Sequence, residues 1–139
     1  MSRYVVDASV AAKWFVPEVH TDAALRLFEG DHSLAVPDLF LSEFGNILWK
    51  KVRLGDINRD EGREILKAIK IVPLDVVSSA TLLDPAFEIA VGLGRTMYDS
   101  LYVALAVLED CEFVTADRTL WRVMSTTPLA RNMLWIEEC

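Results

Sequence analysis

The sequence predicts an α/β fold, a three-layer α/β/α sandwich with a mainly parallel central sheet. Short apolar runs rich in β-branched residues, such as residues 4–6 and 112–115, carry no polar alternation, which marks strands buried on both faces. Segments of helical periodicity alternate with these runs along the whole chain. Two of the strands end the same way, with an aspartate at the tip and a helix after it: Asp7 follows the first, and Asp117 follows residues 112–115. With 139 residues and no repeat, low-complexity tract or linker, the chain reads as one domain spanning 1–139.

Tyr4, Val5 and Val6 form the first strand, and Asp7 stands at its carboxyl end, the edge where open α/β sheets bind ligands. Asp7 is a candidate metal ligand or phosphoacceptor; the alternative is that it only caps a helix. Ser9 is placed as cap of the helix carrying Val10, Ala11, Trp14 and Phe15, which Val16-Pro17 ends. Thr21 is read as the next N-cap, with Asp22 complementing the dipole, Ala24, Leu25 and Phe28 forming a stripe and Gly30 as stop. His20 and His32 read as ordinary surface histidines in polar loops. Residues 33–36 form a second strand, closed by Pro37-Asp38.

Residues 39–54 are helical, with Phe40, Phe44, Ile47, Leu48 and Lys51 repeating at steps of three or four. Glu43 borders that stripe, as a solvated flank residue or as a functional acid. Asn58 and Glu61 match a capping box for a helix using Ile65, Leu66 and Ile69. Residues 71–74 read as a short strand that Pro73 places at an edge or a strand end. Asp84-Pro85 is read as cap and first position of a helix running to Leu93, with Gly94 as stop. Arg95 to Ser100 open the most apolar helix, uncharged from Leu101 to Leu108, and Asp99 in its first turn is costly to bury without a cation or donors. A helix over 120–124 and a terminal strand over 134–136 complete the chain.

Composition narrows the function. The net charge of −7, from 14 basic and 21 acidic residues, argues against a general nucleic-acid coat protein. It leaves room for an enzyme whose clustered acids hold divalent cations and so attract phosphate. Apolar residues make up 53% of the chain, yet charge breaks every run before it could span a bilayer, so self-association or a partner groove is the expected explanation. No signal peptide is seen at the start of the chain. Cys111 and Cys139 form no disulfide framework or metal-ligand spacing, so a reducing cytoplasm is expected.

In a right-handed parallel sheet Asp7, Glu43, Asp99 and Asp117 converge on one crevice. Like charges so close cannot all stay ionised without cations, and oxygen-only ligands suit Mg²⁺ or Mn²⁺ over Zn²⁺. Val6-Asp7-Ala8-Ser9, Glu43 in its helix, Tyr98-Asp99-Ser100-Leu101-Tyr102 and Thr115-Ala116-Asp117-Arg118 resemble, in order, the motifs of PIN-domain ribonucleases, most closely the VapC-type toxins of toxin–antitoxin modules. The resemblance covers nearly the whole chain and implies a PIN-like fold. It also implies that Asp7, Glu43, Asp99 and Asp117 bind metal and catalyse RNA phosphodiester hydrolysis, with Glu43 as ligand or orienter of the attacking water. Ser9 and Thr115 match supporting positions, Thr115 as a hydroxyl able to bond a metal-bound water.

Arg95 and Arg118 flank the site, either contacting substrate phosphate or forming surface salt bridges. A cognate antitoxin and a homodimer are the partners the resemblance implies. The antitoxin should bring a basic side chain to the acids and an apolar helix to the 39–54 helix, where Phe40, Phe44 or Leu48 would accept it unless they are wholly core. Rival readings are a receiver-like or phosphatase-like metal-binding domain, and a non-catalytic RNA-binding PIN-like module. Ser9, where a phosphatase would want a second acid, counts against the first.

Overall fold

The computed structural model describes residues 2–139. One five-stranded sheet is built from β1 (Ser2–Val6), β2 (His32–Pro37), β3 (Leu74–Val77), β4 (Glu112–Thr115) and β5 (Met133–Trp135), in the order β3-β2-β1-β4-β5. Every pairing is parallel. Parallel neighbours require crossovers, and seven helices accompany them: α1 (Ala8–Ala12), α2 (Thr21–Glu29), α3 (Leu39–Arg53), α4 (Arg59–Ile69), α5 (Ser79–Leu93), α6 (Met97–Leu108) and α7 (Arg118–Ser125).

Burial follows position in the sheet. Val5 and Val6 of the central strand and Phe113 and Val114 beside it are fully covered, whereas Val76 on edge strand β3 is exposed. Helix α6, buried along Leu101–Ala106, packs against β1, β2 and β4 and against α5. On the α3 side, Phe40 and Phe44 stack at 5.9 Å and Phe15 meets Phe44 edge-on at 6.0 Å. Phe40, Phe44 and Leu48 are therefore core, and none is available to accept a partner helix.

Several local expectations are corrected. Asp7, not Ser9, caps α1, and that helix ends at Ala12; Trp14 lies beyond it and its indole N–H donates to the Ala24 carbonyl at 2.9 Å. The N-cap of α2 is His20, in the left-handed region at φ 68°, while Thr21 is the first helical residue and its hydroxyl accepts from the Glu18 N–H. His32 lies in β2, edge-on to the Tyr4 ring at 5.0 Å, not in a loop.

The third strand begins at Leu74, where residues 71–74 were expected, because Pro73 cannot donate to a ladder. Helix α5 begins at Ser79, capped by Ser78, so Pro85 sits inside it instead of at its start. Asp38 accepts from both the backbone N–H and the hydroxyl of Ser79, fixing the start of α5 against the end of β2. Strand β5 closes at Trp135, with Ile136 in a following 3₁₀ turn. Among the described residues no helix is long and apolar enough to cross a membrane.

Candidate active site

The site grows from the tip of β1. Val5 pairs with Ala35 of β2 and Val6 with Val114 of β4, so Asp7 leaves the sheet between two neighbouring strand ends. Its extended backbone (φ −72°, ψ 145°) starts α1, and its Oδ1 accepts from the Ser9 N–H at 3.3 Å. Asp7 is a cap, and it also lines a cleft of about 410 Å³ together with Ser9, Ser42, Glu43, Asn46 and Tyr98.

Glu43 arrives from the second turn of α3 and is half-buried. The Tyr102 hydroxyl donates to its Oε1 at 2.6 Å, a charge-assisted distance. Tyr102 is itself buried, its ring stacked on Phe113 at 5.1 Å and 10°, so the donor is held by packing. Burial pushes the Tyr102 hydroxyl far above its ordinary range, helped by the charge of Asp7 and the bond to Glu43. It stays protonated and donates.

Asp99 stands in the first turn of α6, where its N–H donates to the Thr96 cap hydroxyl at 3.1 Å. Arg95, one turn earlier, pairs with Asp99 Oδ2 at 3.1 Å, while the Arg95 Nε–H is buried without an acceptor. Of the two expectations for Arg95, the structure places the salt bridge.

Electrostatically three of these acids form one group. Burial pushes the Asp7 carboxyl up to about 6, and the charges of Glu43 and then Asp99 push the same way against the Ser9 bonds. Glu43 is also raised, by burial and by Asp99, with the Tyr102 bond opposing. Asp117 stands differently. It lies on the neighbouring strand tip, as expected, but is exposed; its N–H donates to the buried Thr115 hydroxyl at 3.0 Å and its Oδ1 accepts from Leu120 N–H at 3.1 Å. It caps α7 and does not figure among the charges that perturb Asp7. The Arg118 guanidinium lies 4.2 Å above the Trp135 ring centre.

Among the described residues no three carboxylate, imidazole or thiol groups are gathered tightly enough to hold an ion as they stand. The donor chemistry nonetheless fits a hard divalent cation. The perturbed acids offer only oxygen, and burial first, then neighbouring negative charge, raises both of them. Sequence reading had missed Tyr102 as a site residue. Its signal was a hydroxyl within the uncharged run from Leu101 to Leu108, three residues after Asp99 and on the same face.

A PIN domain family model matches residues 4–124. The chain is 38% identical over 120 residues to Ribonuclease VapC3 of Pyrobaculum aerophilum, covering 85% of this chain and 92% of that protein. It is 33% identical over 118 residues to Exonuclease VapC9 of the same organism, covering 85% and 83%. The crystal structure of PAE2754 from Pyrobaculum aerophilum superposes with a TM-score of 0.69 at 29% identity, over 98% of this chain and 85% of that one. VapBC2 from Rickettsia felis, bound to a DNA fragment from its promoter, shares the fold with a TM-score of 0.66 at 16% identity, over 96% and 98% of the two chains.

Proposed function

This chain belongs to the PIN-domain family, and from that premise we propose that it is a metal-dependent endoribonuclease, the toxin of a toxin–antitoxin pair. The observation that carries the reading is the acidic cleft at the carboxyl edge of the sheet, where burial and then the charges of Glu43 and Asp99 raise Asp7, and burial and the charge of Asp99 raise Glu43. Asp7, Glu43 and Asp99 would hold Mg²⁺ or Mn²⁺, with Asp117 on the adjacent tip as the outer acid. Such an ion supplies an activated water and a counter-charge for the phosphodiester. The chain's own residues do the positioning. Tyr102 orients Glu43, Arg95 orients Asp99, and Thr115 fixes the backbone that presents Asp117.

The antitoxin would be a small protein bringing a basic side chain to these acids. Its apolar contact cannot be Phe40, Phe44 or Leu48. Leu83, Phe87 and Val91, four residues apart on α5 and exposed by 51%, 57% and 68%, supply uncovered apolar surface for a protein partner, antitoxin or second copy. The test is cleavage of a circular single-stranded RNA, which has no ends for an exonuclease, by the purified chain with Mg²⁺ or Mn²⁺. Linearised product is expected from the wild type and none from Asp7→Asn. Cleavage surviving chelator, or surviving Asp7→Asn, overturns the proposal.

A further inference from the structure

We propose that the exposed side of α3 beyond Glu43 is a track for the RNA strand leaving the cleft, with Lys50 and Arg53 holding phosphates and Trp49 stacking a base. This rests on the nuclease reading above. Glu43, Asn46, Lys50 and Arg53 follow one another at steps of three, four and three, the spacing of a single helical stripe. Asn46 already lines the cleft, and Lys50, Arg53 and Leu54 line the next depression along the helix. Ten residues of helix carry the stripe about 15 Å from the acid to the last cation. Long side chains on a helix lean toward its N-terminus, here toward the cleft.

The charges point the same way. Seven of the chain's fourteen arginines and lysines are ion-paired among the described residues. Lys51, also on α3, is one of them and is spent on Glu18 at 2.8 Å. Lys50 and Arg53 have no carboxylate within reach among the described residues, on a protein of net charge −7. Cations do favour the last turn of a helix. That preference does not account for Trp49, which is 54% exposed with the Arg53 guanidinium 5.3 Å from its ring centre. An exposed indole against Arg53, with Lys50 lining the same depression as that arginine, is the combination that single-strand binding grooves use: backbone charge for affinity, an aromatic face for a base.

Binding is measured by fluorescence anisotropy on an end-labelled 12-nucleotide single-stranded RNA, with every protein carrying Asp7→Asn to prevent cleavage. Lys50→Ala with Arg53→Ala should lower the slope of log Kd against log salt by about 1.4, two phosphates at about 0.7 each. Trp49→Ala should weaken binding about tenfold and Trp49→Phe should restore most of it. Arg59→Ala with Lys70→Ala, outside the stripe, should change neither. An unchanged slope and Kd in the α3 variants overturns the track even when the Asp7-intact chain cleaves RNA. Trp49→Ala that shifts the sedimentation coefficient to a smaller species without weakening RNA binding assigns the face to self-association and also overturns it. If the intact chain cleaves no RNA with either metal, the nuclease reading falls and the track with it.

Discussion

Replacing Asp7 by asparagine should make the metal-free protein more stable while removing its activity. The carboxyl titrates near 6 in the fold and near its ordinary 3.8 when unfolded. Between those values the folded state holds the proton and the unfolded state has released it. The contribution of Asp7 to stability is therefore most favourable below pH 3.8 and is lost as pH rises through 6. Above that, keeping the ionised carboxylate in place costs about 3 kcal/mol at 1.36 kcal/mol per pH unit. Asp7 keeps some contact with solvent, which reduces the expected effect to about 2 kcal/mol.

Asparagine keeps the oxygen that accepts from the Ser9 N–H, so the cap survives and only the charge goes. Urea unfolding in chelator should show the variant about 2 kcal/mol more stable at pH 7.5 and equal to the wild type near pH 3.5. In a thermal melt at pH 7.5 this is roughly 6–10 °C. A variant that is no more stable at neutral pH, or more stable by the same amount at both, would refute the reasoning.

Mg²⁺ at ten times its Kd should stabilise the wild type by about 1.4 kcal/mol and Asp7→Asn by much less, read from melts with and without the ion. Tyr102→Phe should cost about 1 kcal/mol and, by removing the bond that opposes burial at Glu43, raise that carboxyl further and move the acidic limb of the pH–rate profile upward. Phe40→Ala, emptying a fully buried stack, should cost about 3–5 kcal/mol in urea unfolding. Asn132→Ala, which deprives the Cys111 carbonyl of a donor at 3.0 Å, should cost about 1–3 kcal/mol in the same assay.

The central strands and the long helices were legible because each carries one unopposed signal. β1 and β4 each carry adjacent apolar residues, Tyr4 to Val6 and Phe113-Val114, that run straight into an aspartate-tipped turn, and α4 begins with a capping box whose two reciprocal bonds both form, at 2.8 and 2.9 Å. Legibility fell where two rules met. Asp84-Pro85 has the form of a helix start, but Ser78 offers an earlier cap, and an exposed helix tolerates the one donor that Pro85 lacks. β3 is an edge strand, half exposed, so no apolar run marks its limits. In the site, the strand-tip aspartates could be placed from topology. The unequal roles of Asp7 and Asp117 depend on which neighbours surround each carboxylate, and sequence order does not contain that. Tyr102 belongs to the same class: its ring reads as core, and only the fold brings its hydroxyl to Glu43.

The strand order has a consequence for the newborn chain. β1 is separated from one of its two partners, β4, by β2, β3 and six helices. A polypeptide stalled after α5 possesses Asp7 and Glu43 but lacks Asp99, Tyr102 and the strand that closes the sheet beside them. Such a fragment has an open central edge, no Tyr102 hydroxyl to bond its glutamate and no Asp99 beside its other acids. Pairing across so much sequence is also slow, since the intervening loop must be ordered before the contact rewards it. Completion of the acidic cleft thereby waits until α6 and β4 have both emerged.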